Sequence, residues 1–292
     1  MIQDNKGFNN RYDMKYYIVD AFTDKPFGGN PAGVVLLDSD SFPKEELMLN
    51  FAAELRFSET AFIRRHSSQE YTLRYFTPKA EVDLCGHATI ASFSLIYQKG
   101  LASGQCTCHT KAGDLNVRVG EKVMMQMARP KIITTLSETE EIYRALGVKD
   151  YRPTMPVQVV STGLPDLMIP LPDVVTLQSL QPDMEAVSAI TKKHKAVSFH
   201  VFAFGNDDYT AHVRDFAPLY DIPEESATGT ANASLTYYLQ QCGCLGKEAD
   251  CAFLQGEAMG RPSVVATRIQ ADENIFVGGT AVVVAEGVLM ID

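Results

Sequence analysis

Residues 82–99 read VDLCGHATIASFSLIYQK, and this stretch decides the fold. Gly86 and the small residues after it predict the start of a helix. The apolar residues that follow recur at the spacing of one buried helical face: Ile90, Phe93, Ile96 and Tyr97. The first N–H groups of a helix have no partner inside it, so we expect them to face an anionic group in front of Gly86.

The same pattern, a glycine and small residues at a predicted helix start, occurs a second time in residues 227–243 (ATGTANASLTYYLQQCG). Aligning Gly86 with Gly229 superimposes the two predicted helix starts. An R-x-F-x-P element precedes each helix, as LRYFTP at 73–78 and VRDFAP at 213–218. Two copies of this order indicate an internal repeat of one structural unit.

The fold class predicted from this repeat is α+β. We expect two pseudo-symmetric domains, each a mostly antiparallel sheet or barrel around a central helix. The predicted N-terminal half covers residues 14–130 and the C-terminal half covers 131–292, with the last strand a candidate to return to the N-terminal half. Residues 1–13 are polar and are predicted to be a disordered tail.

Composition excludes several classes of function. The 292 residues carry a net charge of −10 and a single short basic cluster, KKHK, which argues against a nucleic-acid partner. No apolar run reaches the length of a membrane span, and no signal peptide is recognisable. Neither G-x4-G-K-[ST] nor G-x-G-x-x-G occurs, so a nucleotide cofactor is not predicted.

The six cysteines indicate a reducing compartment, because they occur without a secretory signal. We therefore expect free thiols and a cytoplasmic protein. The two C-x-C pairs are spaced more closely than zinc ligands usually are, so no metal site is predicted.

Glu59 is the strongest candidate for acid/base chemistry. The segment RFSETAFI predicts a short strand, whose alternation places Phe57, Glu59 and Ala61 on one face. Desolvation beside aromatic residues would raise the pKa of the carboxyl group toward neutrality, where it both accepts and donates protons. A glutamate on the solvent face of an edge strand is the alternative.

Other candidates lie at the two predicted helix starts. His87 is expected to be neutral beside the positive helix end, or to act only as a cap. Glu225 and Thr230 place a carboxylate and a hydroxyl at the mouth of the second helix, which a helix cap explains nearly as well. Cys85 is a candidate for an activated thiolate. The equivalent position of the second repeat is occupied by Thr228, so the pair of cysteines that a two-cysteine racemase uses is missing.

Five motifs in order resemble the PhzF-like phenazine-biosynthesis isomerase family: DAFTDKPFGGNPAGVV, FSETAF, FTPKAEVDLCGHATIAS, EESATGTA and LQGEAMGRPS. The resemblance runs over residues 14 to 285. It implies the diaminopimelate-epimerase fold, a cleft between two domains and a homodimer. It also implies a proton-shift isomerisation without cofactor or metal, as that of trans-2,3-dihydro-3-hydroxyanthranilate.

Residue by residue, the resemblance matches Glu59 with the family's acid/base glutamate and His87 with its active-site histidine. Asn30 matches a substrate-side asparagine, and Gly86 and Gly229 match the helix openings. Ser58, next to the glutamate, is assigned to substrate binding.

Two positions depart from the family pattern. The usual aspartate of E-D-P-A-T-G-S is Glu225 here, and the usual serine is Thr230. The longer carboxylate and the extra methyl group both narrow the pocket, which argues against the phenazine precursor as substrate.

The sequence thus predicts a cofactor-independent isomerase that acts on a small carboxylate-bearing substrate. Glu59, His87 and Glu225 are the predicted catalytic residues, and amides at Gly86 and Gly229 are expected to hold the carboxylate. Two alternatives stay open: a thiol-dependent amino-acid racemase or epimerase using Cys85, and a non-catalytic module that binds a metabolite or a protein.

Overall fold

The computed structural model describes residues 14–39 and 41–290, so the predicted tail at 1–13 lies outside the described residues. The described chain is a mixed α/β fold with one large sheet and few helices. The strands are β1 (Met14–Ala21), β2 (Asn30–Leu37), β3 (Thr60–Arg65), β4 (Glu70–Phe76), β5 (Glu81–Val82), β6 (Gly104–Thr110), β7 (Gly113–Val119), β8 (Val123–Gln126), β9 (Lys131–Thr135), β10 (Gln158–Ser161), β11 (Pro165–Pro170), β12 (Phe199–Ala203), β13 (Ala211–Ala217), β14 (Ile222–Glu225), β15 (Ala249–Gln255), β16 (Ser263–Ile269), β17 (Ile275–Gly279) and β18 (Ala281–Leu289). The helices are α1 (Glu45–Leu55), α2 (Gly86–Gln98), α3 (Glu140–Ala145), α4 (Val174–Ser179), α5 (Met184–His194) and α6 (Gly229–Gln241).

One series of pairings begins at β18. This strand lies antiparallel to β1, which pairs with β2. β3 lies parallel to β2, and β4 is antiparallel to β3. β4 also pairs with the short β5 and, in parallel, with β6, from which β7 and β8 continue antiparallel. The sequence patterns RFSETAFI with TLRYFT, and DLNVRV with VMMQMA, each predict a hairpin. The antiparallel pairings β3–β4 and β7–β8 confirm both.

A second series begins at β9, which lies antiparallel to β10, as β10 does to β11. β12 is parallel to β11, and β13 is antiparallel to β12. β13 pairs with β14 and, in parallel, with β15, and β16 and β17 follow antiparallel. β17 pairs with β8, and this contact joins the ends of the two series.

The two long helices α2 and α6 lie inside these strand layers and contact each other. Every residue of α2 from His87 to Ile96 is buried, so the single buried face predicted from sequence was too narrow. α6 is buried along most of its length in the same way. Small residues at the start of each helix let the strands approach its backbone from all sides.

Two helices start later than the sequence pattern predicts. The segment FPKEELMLNFAAEL at 42–55 predicts a helix over its whole length, but α1 begins at Glu45. The segment SETEE at 137–141 predicts a cap at Ser137, but α3 has Thr139 at its N-cap and no capping side chain. By contrast, Asp183 caps α5 by accepting hydrogen bonds from the N–H groups of Glu185 and Ala186.

The repeated R-x-F-x-P element has a structural role in both places. Arg74 donates two hydrogen bonds of 2.7 Å to Glu81. Arg214 makes the corresponding fork with Glu224, at 2.9 and 2.8 Å. Each arginine therefore ties a central strand to the short strand that precedes one of the two buried helices.

The six cysteines are all unpaired, as the sequence predicted. Over residues 14–39 and 41–290, we find no helix with the length and apolar character needed to cross a membrane.

Candidate active site

Glu59 lies in the loop immediately before β3, not within a strand as predicted. Its backbone carbonyl accepts a hydrogen bond from the Gly33 N–H of β2 at 3.2 Å, which fixes the loop against the neighbouring strand. Its carboxylate Oε2 lies 3.4 Å from Nε2 of His87, and 17% of the side chain is exposed. Ser58 Oγ lies at the same distance from that nitrogen. Both residues of the S-E motif therefore converge on one edge of the imidazole.

Glu225, the last residue of β14, approaches His87 from the other side. Its Oε1 lies 4.0 Å from Nδ1 of His87 and accepts a 3.0 Å hydrogen bond from Nδ2 of Asn30. The same Asn30 amide donates to the Ala227 carbonyl at 3.0 Å. The buried histidine thus stands between two carboxyl groups, and Asn30 holds one of them in place.

Burial sets the protonation of these groups. It lowers the pKa of His87, against the opposing effect of the Glu59 carboxylate, so the imidazole is neutral near pH 7. A neutral imidazole was expected from the positive end of the helix, but the main cause of the lowered pKa of His87 is desolvation. Burial, followed by the charges of Asp215 and Glu59, raises the pKa of Glu225 to about 8, while hydrogen bonds from Thr228 and Asn30 act in the opposite direction. Glu225 is therefore mostly protonated at neutral pH.

Because the pKa of Glu225 is raised, this residue makes the folded protein less stable as pH rises, which is opposite to the effect of a carboxyl group with a lowered pKa. The folded protein binds the Glu225 proton more tightly than the unfolded chain, so the stabilisation is complete at low pH and is lost as pH rises through about 8. Glutamine imitates the protonated acid at every pH. We therefore expect Glu225→Gln to melt close to wild type near about pH 5 and above it near about pH 9.

Thermal melting at several pH values checks this expectation, with Glu54→Gln on the exposed side of α1 as the control. The titratable groups that face Glu225 are Glu59, Cys85, His87 and Asp215. All of them are retained in both variants. A melting difference between Glu225→Gln and wild type that stays constant with pH would contradict the raised pKa.

Cys85, the N-cap residue of α2, lies in surroundings that disfavour a thiolate. Burial and the neighbouring Glu59 and Glu225 carboxylates raise its pKa well above the usual value for a thiol. Its sulfur lies 3.4 Å from Nδ1 and 3.9 Å from Nε2 of His87. Glu59, Cys85 and His87 bring one possible ligand atom each within 4.8 Å of one another, a spacing that could hold a metal ion.

The two helix openings lie beside these side chains. Neither N-cap residue, Cys85 or Thr228, makes a capping hydrogen bond within the described chain, so the first-turn N–H groups have no side-chain cap. A β-carbon on Gly86 would meet nothing closer than Met125 Cε at 3.8 Å, and one on Gly229 nothing closer than Val277 at 3.5 Å. Packing of the protein itself thus leaves room for alanine at both openings.

Thr230 lies in the first turn of α6, at the mouth of the second helix as expected. It is half-buried, its carbonyl accepts a 3.0 Å hydrogen bond from Thr162, and its side chain makes no hydrogen bond within the described residues. The hydroxyl that reaches Glu225 is that of Thr228, at 2.9 Å. From the sequence, Thr228 was considered only as the residue that stands in place of a second thiol. Asp215 was missed, because nothing in VRDFAP indicates which residues its side chain contacts.

The chain is similar to known proteins over most of its length. Residues 19–287 match the model of the family described as phenazine biosynthesis-like protein, PhzC-PhzF. An uncharacterised isomerase from Clostridium acetobutylicum is 33% identical over 297 residues, which cover 94% of this chain and 98% of that protein. A PhzF-family phenazine biosynthesis protein of Bacillus anthracis has a TM-score of 0.86 and 28% identity, and the match covers 96% of this chain and 99% of that chain.

A hydroxyproline epimerase from Agrobacterium vitis has a TM-score of 0.64 over 96% of this chain and 92% of its own, at 10% identity, which shows a shared epimerase-like fold alone. Relatives in Deinococcus radiodurans and Escherichia coli are, like the clostridial one, described as isomerases. These matches confirm the resemblance noted from the five motifs. The chain belongs to the phenazine biosynthesis-like PhzC-PhzF family, and it is an isomerase.

Proposed function

We propose that this isomerase moves a proton on a small carboxylate-bearing substrate by means of its own acid/base side chains, without a cofactor. The observation that carries the proposal is the placement of His87 between the carboxyl groups of Glu59 and Glu225, at 3.4 and 4.0 Å, beside two uncapped helix starts. One such site supplies both an anchor for an anion and groups that exchange protons.

Each group has a separate task in this proposal. Glu59 removes a proton from a carbon atom and returns it to another position of a conjugated system. The neutral His87 orients the substrate, and Glu225, mostly protonated at pH 7, donates to an oxygen or accepts a relayed proton. The amides at Gly86 and Gly229 bind the carboxylate, while Ser58 and Thr230 contact the substrate.

The proposal includes two pseudo-symmetric domains that enclose the site. Support comes from the two series of pairings, in which β2–β3 and β11–β12 are parallel, as are β4–β6 and β13–β15. The equivalent forks of Arg74 and Arg214 add to it. We also propose a cytoplasmic homodimer, for which light scattering after gel filtration is the test of assembly.

Hydrogen exchange on a mixture of metabolites tests the activity while the substrate is still unidentified. The protein is incubated with a bacterial metabolite extract in D2O, and the extract is compared by mass spectrometry with one incubated without protein. We expect at least one carboxylate-bearing metabolite to gain deuterium at carbon. If no metabolite exchanges while a compound still co-purifies with the protein, the site binds a metabolite without catalysis.

A thiol-dependent racemase is the rival within enzymes, and Cys85→Ala separates the two mechanisms. The buried thiol is protonated and Thr228 stands at the second helix, so we expect the alanine variant to keep its deuterium exchange within about threefold of wild type. Exchange rates for a metabolite found in the D2O experiment give the measurement. A loss on the order of 10³-fold would instead identify Cys85 as the base.

A further inference from the structure

A chain of polar side chains leads from Glu225 into the protein interior. Glu225 Oε2 lies 2.9 Å from Thr228 Oγ1, which lies 3.0 Å from Asp215 Oδ2. Asp215 Oδ1 is 2.7 Å from Ser198 Oγ, and that hydroxyl is 2.9 Å from Asp166 Oδ1. Three carboxyl groups therefore alternate with two hydroxyls.

The hydrogens at Thr228 can be assigned, because Gln255 has a fixed orientation. Gln255 Oε1 accepts from the Thr228 backbone N–H at 3.1 Å, and its Nε2 donates to the Glu225 carbonyl at 2.8 Å. That Nε2 also donates to Thr228 Oγ1 at 3.1 Å. The hydroxyl is left with one hydrogen and one lone pair for two carboxyl groups. One of Glu225 and Asp215 accepts from Thr228, so the other brings its own proton and donates.

A second proton is held where Asp215 meets His200. Asn232 Nδ2 donates to the Thr228 carbonyl at 2.9 Å and to Gln255 Oε1 at 2.8 Å, so its Oδ1 faces His200. Nε2 of His200, 3.3 Å from that oxygen, must carry hydrogen. The 2.7 Å contact between His200 Nδ1 and Asp215 Oδ1 then shares one further proton.

The inner end of the chain is closed. Ser198 has one hydrogen for Asp166 and Asp215, both 1% exposed, and Asp166 Oδ2 has no partner among the described residues. Burial and the charge of Asp215 raise the pKa of Asp166 well above its usual range. Glu225, whose side chain is 23% exposed, and the half-buried Thr228 are the members of this chain that solvent reaches. Protons thus enter and leave this chain at the candidate active site.

We propose that Asp215, acting through the hydroxyl of Thr228, exchanges a proton with Glu225 and is the proton reserve of the site. Its part in turnover rests on the proposed function. The proton on Glu225 Oε2 passes to Thr228 Oγ1 while the Thr228 hydrogen passes to Asp215 Oδ2. Glu225 becomes the carboxylate, Asp215 becomes the acid, and no charge leaves the chain. Asp215 is thereby a positioning residue for Glu225.

The test follows the carboxyl carbon of Glu225 by ¹³C NMR in protein labelled at glutamate carboxyl groups, with Glu225→Gln for assignment. Thr228→Val removes the hydroxyl and keeps the shape, whereas Thr228→Ser keeps the hydroxyl. Loss of the donor raises the pKa of Glu225 above about 8 in the valine variant, and the serine variant titrates like wild type. Asp215→Asn removes a negative charge and shifts the midpoint down.

Each outcome decides the proposal. Midpoints that agree between Thr228→Val and wild type overturn it, even if Asp215→Asn shifts its midpoint, since charge alone would then act on Glu225. If the valine variant does not fold, Thr228→Ala removes the same hydroxyl and is read in the same way. An unshifted midpoint in Asp215→Asn overturns the proposal as well. A merely structural role for Thr228 predicts lower stability with an unchanged Glu225 titration.

The role in turnover has a separate readout. With a metabolite that exchanges in D2O, we expect Thr228→Val to exchange about tenfold more slowly than wild type near neutral pH and Thr228→Ser to recover the rate. Exchange at the wild-type rate in Thr228→Val overturns the role as a proton reserve. A wild-type protein that exchanges nothing overturns the proposed function instead, and the titration then still decides whether the proton chain exists.

Discussion

Replacing Glu59 by glutamine is expected to reduce deuterium exchange by a factor on the order of 10³ or more while the substrate still binds. The amide has nearly the shape of the carboxyl group and keeps an oxygen near Nε2 of His87, now 3.4 Å from the carboxylate. It cannot accept a proton from carbon at neutral pH. The measurement is the exchange rate in D2O for a metabolite found with wild type, together with its dissociation constant.

Glu54→Gln is the matched control, because Glu54 lies five residues earlier on the exposed side of α1. We expect it to exchange at the wild-type rate. Equal melting temperatures for Glu59→Gln and wild type would show that the fold is intact. Undiminished exchange in Glu59→Gln would exclude Glu59 as the acid/base group and leave Glu225 as the remaining carboxyl candidate.

Gly278→Ala is expected to cause the largest loss of stability. Gly278 pairs with Met124 where β17 meets β8, and a β-carbon there would lie 1.7 Å from the Val123 carbonyl oxygen. Because the obstacle is backbone, only separation of the two strands relieves it. We expect the free energy of unfolding to fall by about 3 kcal/mol or more.

Gly120→Ala, in the turn before β8, serves as the control. A β-carbon there would have the Lys122 carbonyl oxygen 3.7 Å away, an ordinary contact, so we expect a change within about 0.5 kcal/mol. Urea unfolding followed by circular dichroism compares the variants. Equal midpoints for Gly278→Ala and wild type would mean that β8 and β17 do not approach so closely in solution.

Local patterns predicted the two buried helices well. Gly86 and Gly229 mark the starts of α2 and α6, since a glycine followed by small residues and then by apolar residues at helical spacing is information held within one segment. The β3–β4 hairpin was predictable for the same reason. Burial of α2 on all sides was not, because it depends on strands from both ends of the described chain.

The environment of Glu59 shows why the site was harder to predict. Alternation of Phe57, Glu59 and Ala61 indicates a strand, but the parallel pairing of β2 with β3 begins at Gly33 opposite Thr60. Glu59 is left in the loop, free to turn toward His87 at the start of α2. Strand register is set by contacts between distant segments, so the pattern of one segment does not determine it.

The contacts of Thr228 could not be predicted from the sequence for a related reason. Asp215 and Glu225 are partners across β13 and β14, in a pairing whose register shifts between Asp215 and Ala217. Only this irregular register brings both carboxyl groups to one hydroxyl. Ten residues separate them in sequence, and neither VRDFAP nor EESATGT indicates that they meet.

The antiparallel pairing of β1 with β18 constrains the order in which the chain folds during synthesis. Met14 lies opposite Leu289 and Ala21 opposite Ala281, so β1 acquires this neighbour only after β18, which the ribosome makes much later, has emerged. Until then one edge of β1 is a row of unsatisfied amides and carbonyls, open to any other extended chain. The β1 edge is therefore completed late in synthesis, after α2 and the strands from β2 to β8 have been made.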